Sequence, residues 1–151
     1  MLKKLVLGAM LLWSTISFSQ WNYDYVVDAL GGDYKIAYAR DTEDSRAFLK
    51  LEVYQSNVIM YIQADEICGK SVLVSAIFVT PQFNREITFI GLVTPDETII
   101  YLERDMKTSS FLSLFKQSTE VVIKVTTDEC VDRYFQFFMS GSTAAYNFMS
   151  K

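Results

Sequence analysis

From about residue 21 onward, apolar and polar positions alternate with a period of two over most of the chain. In Phe48–Tyr54, Leu49, Leu51 and Val53 share one face while Lys50 and Glu52 share the other, the pattern of a half-buried strand. Gln55-Ser56-Asn57 supplies turn residues, and Val58–Ile62 reads as the return strand of a hairpin. That return strand is apolar on both faces, which places it centrally with something packed over each side. Further strands are expected at Tyr23–Val27, Tyr34–Ala39, Ser71–Val79, Arg85–Leu92, Glu97–Glu103, Thr119–Thr126 and Arg133–Met139. Two segments switch to helical spacing. Thr108–Gln117 carries Phe111, Leu112, Leu114 and Phe115 after three capping residues, and Gly141–Ser150 carries Ala144, Ala145, Phe148 and Met149. The expectation is a mainly β, antiparallel β-sandwich, with a short helix near 108–117 and a C-terminal helix near 141–150 covering an end or an open face. Closure of the same strands into a barrel is the alternative.

The first 20 residues follow a different rule. Lys3 and Lys4 precede an apolar run, Leu5 to Trp13, and Ser17-Phe18-Ser19 puts small residues at the −3 and −1 positions of a cleavage site before Gln20. Residues 1–19 are therefore expected to be a secretory signal and residues 20–151 a single domain. The run is shorter than the roughly 20 residues a membrane span needs, so no stable span is expected after cleavage. Export implies a periplasmic or secreted protein.

Composition narrows the chemistry. The 151 residues include 14 Lys and Arg against 18 Asp and Glu; loss of Lys3 and Lys4 with the signal leaves 12 against 18, a net charge of −6. Such a balance offers no electrostatic footprint for nucleic acid. The chain has no histidine, which removes Ser-His-Asp and Cys-His catalysis and the commonest metal ligand. Neither G-x-S-x-G, a phosphate loop nor a clustered cysteine pair for zinc is present. A hydrolase built on two carboxylates needs no histidine, but 132 mature residues leave little room for a long groove. Cys68 and Cys130 form an even set in an oxidising compartment and are expected to be disulfide-bonded.

The order of elements carries a resemblance. An early hairpin of Leu49-x-Leu51-x-Val53 and Val58-x-Met60-Tyr61-Ile62 is followed by a Leu112-x-x-Phe115 helix and a Val121-x-Ile123-x-Val125 strand, and Gly141-Ser142-Thr143-Ala144-Ala145 opens the last helix. This order resembles small exported bacterial β-sandwich proteins of the type VI secretion accessory and invasion-associated locus B kinds. The resemblance covers much of residues 48–149, lies in apolar spacing, and implies an exported sandwich. Tyr54 stands where the secretion-accessory group tends to carry a cysteine.

The candidate site surrounds the cysteines. Asp65 and Glu66 precede Cys68; Asp128, Glu129 and Asp132 flank Cys130. A disulfide would gather these five carboxylates at one end of the domain, tempered by Lys70 and Arg133, where they could hold Ca²⁺ or meet a basic surface of a partner. No other cofactor is expected. The second acidic loop, Asp41-Thr42-Glu43-Asp44, lacks calcium-loop spacing and reads as a solvated connection. Tyr134, Phe135, Phe137 and Phe138 are expected to pack in the core; Trp21 and Tyr23 are expected to pack across an end of the sheet, an exposed recognition patch being the alternative. The function these features favour is a non-catalytic envelope or extracellular module binding a protein or glycan. A lipocalin-like small-ligand carrier is the alternative.

Overall fold

A computed structural model describes residues 21–28 and 32–151; the expected signal lies outside the described residues. Nine strands and two helices follow in chain order: β1 (Trp21–Asp28), β2 (Gly32–Arg40), β3 (Phe48–Tyr54), β4 (Asn57–Gln63), β5 (Ser71–Val79), β6 (Asn84–Val93), β7 (Ile99–Glu103), α1 (Phe111–Gln117), β8 (Glu120–Thr126), β9 (Arg133–Phe138) and α2 (Ser142–Met149). The strands join in one antiparallel sheet of order β1-β2-β3-β4-β7-β6-β5-β8-β9. The mainly β, antiparallel class is thus as the periodicity implies.

The sheet is one hydrogen-bonded surface with a narrow waist. β6 and β7 meet only at Leu92 opposite Tyr101 and Val93 opposite Ile100. On either side of that junction lie two leaves, β1-β2-β3-β4-β7 and β6-β5-β8-β9. The register explains why they fold onto one another. Ala37 and Ala39 oppose Leu51 and Leu49, which oppose Met60 and Ile62. In the other leaf Val74 and Ala76 oppose Val125 and Ile123, and Ile123 opposes Phe135. One apolar face therefore runs through both leaves, and folding the sheet removes it from water. Leu49 and Met60 of the first leaf face Ala76, Phe78, Val121 and Ile123 of the second across a void of about 10 Å³. The interior is filled. Gly91 is required there: a Cβ would lie 2.8 Å from a methyl of Ile100 and 2.9 Å from one of Val74.

A second seam joins the end of β2 in the first leaf to β9, the edge strand of the second. Just past β2, the Thr42 N–H donates to the Gln136 carbonyl of β9 at 2.9 Å. The reciprocal acceptor is a side chain: Gln136 N–H donates to Asp41 Oδ1 at 2.5 Å, while Asp41 Oδ2 accepts the N–H groups of Glu43 and Asp44 at 2.9 and 2.7 Å. Asp41 is only 7% exposed. The loop expected to be solvated thus contains a buried carboxylate that substitutes for a strand, because its three N–H donors replace the water it loses.

The helices close one end. Phe111 of α1 meets Phe78 and Phe89 edge-on at 5.7 and 5.4 Å, and Phe115 meets Trp21 at 5.3 Å. α2 is fixed to α1 by the Ser142 hydroxyl donating to the Phe115 carbonyl at 2.8 Å, and its Phe148 sits edge-on to Tyr23 and Tyr25. α1 is shorter than its apolar spacing predicts, starting at Phe111 because residues 105–108 form a turn in which Asp105 accepts from Lys107 N–H and the Thr108 hydroxyl.

Two packing expectations are corrected. Phe135 and Phe137 are buried, but Tyr134 is 64% exposed and Phe138 is also exposed, because β9 has only one covered face. Likewise, among the described residues, no helix or strand packs over the outer face of β4. Its Tyr61 is buried instead beneath side chains of adjoining strands, donating to Glu52 at 2.9 Å and lying 6.1 Å from Tyr101. Burial first, and Glu52 second, push the Tyr61 phenol well above its ordinary range.

Candidate functional site

The end opposite the helices is built from four connections: residues 41–47 after β2, 64–70 after β4, 94–98 between β6 and β7, and 127–132 after β8. Cys68 and Cys130 are bonded, with Cα atoms 6.1 Å apart, so the expected disulfide ties the second of these loops to the fourth. Cys68 lies on the crossover from β4 of the first leaf to β5 of the second, and Cys130 on the β8–β9 connection, so the bridge ties the crossover between the leaves to the second leaf.

Beside it opens a cleft of about 560 Å³ lined by Arg46, Asp65, Glu66, Asp96, Glu97, Thr98 and Arg133. Its walls are cross-braced. The Ile67 N–H donates to the Glu97 carbonyl at 2.7 Å and the Ala64 N–H to the Thr98 carbonyl at 2.9 Å. Arg133 donates to the carbonyls of Asp65 and Glu66 at 2.5 and 3.3 Å and lies 3.7 Å from Asp44. Arg46 pairs with Asp65 at 3.1 Å. Glu66 and Glu97 both take left-handed backbone conformations, at φ 55° and 58°, which non-glycine residues adopt at a cost of about 1–3 kcal/mol. Asp96 is held below the usual carboxylate range by hydrogen bonds from Thr94 first and from Thr98.

The five predicted acids divide. Asp65 and Glu66 line the cleft. Asp128 and Glu129 are exposed in the disulfide loop and are not part of the cleft lining. Asp132 pairs instead with Lys124 at 2.8 Å on the outer face of β8; that hydrogen bond lowers the Asp132 carboxyl and raises the Lys124 amine. Among the described residues no three His, Cys, Asp or Glu side chains form a group that could hold a metal ion. The cleft's tempering cations are Arg46 and Arg133, whereas Lys70 is not part of its lining. Arg46, Asp96 and Glu97 carry no local sequence signal of a site; Pro95-Asp96 marks only the turn between β6 and β7.

The arrangement is concave, braced and charged: four carboxylates against two guanidinium groups, both already engaged with the protein. Comparison of the chain with protein-family models, with curated proteins and with solved structures finds no match. No helix among the described residues is long and apolar enough to cross a membrane.

Proposed function

We propose that the chain is an exported, non-catalytic binding module of the bacterial envelope or exterior, and that the disulfide-end cleft recognises basic groups on a partner protein or glycan. The carrying observation is the contrast between inside and outside. The voids between the leaves measure only about 10 and 30 Å³, whereas the concavity at the disulfide end measures about 560 Å³. Drug-sized ligands occupy about 300–1,000 Å³, so recognition belongs to the surface. This argues against the lipocalin-like carrier, which needs an apolar chamber. A carboxylate-dependent hydrolase needs one acid held protonated near neutral pH. Asp96 moves in the opposite direction.

With both arginines engaged by Asp44, Asp65 and the loop carbonyls, Glu66 and Glu97 are the acids left facing the cleft for a cationic group. The signal-like N-terminus and the disulfide support export, as does the resemblance to small exported sandwich proteins. The test is an array of lysine- and arginine-containing peptides and amino-sugar glycans, probed with the mature chain and with a Glu66→Gln/Glu97→Gln variant. Retention by the wild type that falls in the variant and weakens with salt is the expected result. Equal retention by both proteins would sink the reading.

A further inference from the structure

The β6–β7 junction leaves a strand edge open. β6 runs from Asn84 to Val93, yet its pairing with β7 stops at Leu92. Val93 N–H donates toward β5, to the Lys70 carbonyl at 3.0 Å, and Thr94 N–H donates toward β7, to the Ile99 carbonyl at 3.0 Å. The β5–β6 register is unbroken from Val79–Asn84 to Ser71–Leu92, so backbone direction alternates along it. Arg85, Ile87 and Phe89 therefore pair with β5, while Glu86, Thr88 and Ile90 turn their N–H and C=O groups to the open side. Among the described residues no strand pairs with them there.

The edge is also apolar. Ile87 and Phe89 are only partly buried against the core. On the outer face Ile90 is 62% exposed and directly opposes the exposed Leu73. Natural edge strands are commonly blunted by proline, bulges or inward charges. Arg85 and Glu86 stand at one end of β6, and from Ile87 to Gly91 none of these devices occurs.

We propose that this edge binds an extended segment of a partner polypeptide by strand addition to β6, at a surface separate from the disulfide-end cleft. Backbone donors and acceptors in alternating order specify an extended chain, and the apolar lip selects apolar residues at every second position. Two observations favour a thin foreign segment over a second copy of this protein. The unpaired stretch is short, Glu86 to Ile90, and ends where β6 meets β7 at Leu92–Tyr101, a length that suits one extended strand. A net charge of −6 without the signal also repels another copy and suits a neutral or basic segment.

The probe is a fluorescent peptide of alternating Val and Thr with an uncharged Gln at each end and blocked termini, so that it offers the acidic cleft no cation, titrated against the mature protein by anisotropy. Thr88→Pro removes an outward N–H while sparing the β5 ladder, a position where edge strands tolerate proline. Expected are slowed amide exchange at Glu86, Thr88 and Ile90 on peptide addition and affinity about tenfold weaker in Thr88→Pro, with Glu66→Gln/Glu97→Gln binding like the wild type. A probe N-methylated at alternate amides reads the same backbone pairing without altering the protein and should also fail to bind. Unchanged binding by Thr88→Pro or by the methylated probe would overturn the proposal. So would an absence of binding at millimolar peptide, or a wild-type dimer that Thr88→Pro converts to monomer.

Discussion

At the scale of single residues, Asp41 shows how far a side chain's role depends on what the fold brings to it. In sequence it is the first acid of a polar loop. In the structure its carboxylate accepts from Gln136, Glu43 and Asp44 N–H groups and closes the seam between β2 and β9. Gln136 is 95 positions away, and no local pattern announces that pairing. Asp41→Ala would remove three hydrogen bonds to a charge from half-buried donors, so a loss of about 1–3 kcal/mol is expected. Asp41→Asn, which keeps one acceptor oxygen, should fall between. Urea denaturation of the three proteins checks this; an alanine variant within 0.5 kcal/mol of wild type, the usual range for a surface change, would mean that the seam does not hold the leaves together.

At the scale of elements, much was legible because period two and period 3.6 are set by burial on one face. The alternation of Leu49, Leu51 and Val53 and of Val121, Ile123 and Val125 is the inward face of β3 and β8, and both helices lie inside the segments their spacing marks. What the pattern could not reveal is the far side of each strand. Tyr134 and Ile90 read as apolar strand residues, yet each faces outward, because apolarity does not say whether a second layer arrives. The β3–β4 hairpin is legible to within one residue, since Asn57, expected in the turn, opens β4. Tyr54 pairs with Asn57, so the loop is Gln55-Ser56, both left-handed at φ 48° and 68°. Two such residues define the turn that Asn-Gly fits best. Gln55→Asn/Ser56→Gly is therefore expected to stabilise the protein by about 0.5–1 kcal/mol through relief of backbone strain. A rise of a few degrees in Tm would register it; an unchanged or lower Tm would mean that Gln55 and Ser56 contribute contacts the strain relief does not replace.

At the scale of the whole molecule, the disulfide and the two seams compete as explanations of what holds the leaves. Cys68 and Cys130 were paired from their number and compartment alone, and their bond spans a sequence separation of 62. Cross-linking a loop of that length limits the unfolded chain by about 4 kcal/mol on the chain-entropy account. The folded leaves are joined independently by the β6–β7 junction, by the Asp41–Gln136 seam and by the filled core between them. A Cys68→Ser/Cys130→Ser variant should then keep its sheet while losing most of that stability. The cleft should feel it more, since Asp65 and Glu66 precede Cys68 and Arg133 follows Cys130 on the loops the bond ties together. The expected outcome is a far-ultraviolet circular dichroism spectrum like wild type, a Tm lower by many degrees, and faster amide exchange confined to residues 64–70 and 127–132. Exchange rising equally in β3 and β8 would show instead that the bridge, and not the shared apolar face, keeps the two leaves in contact.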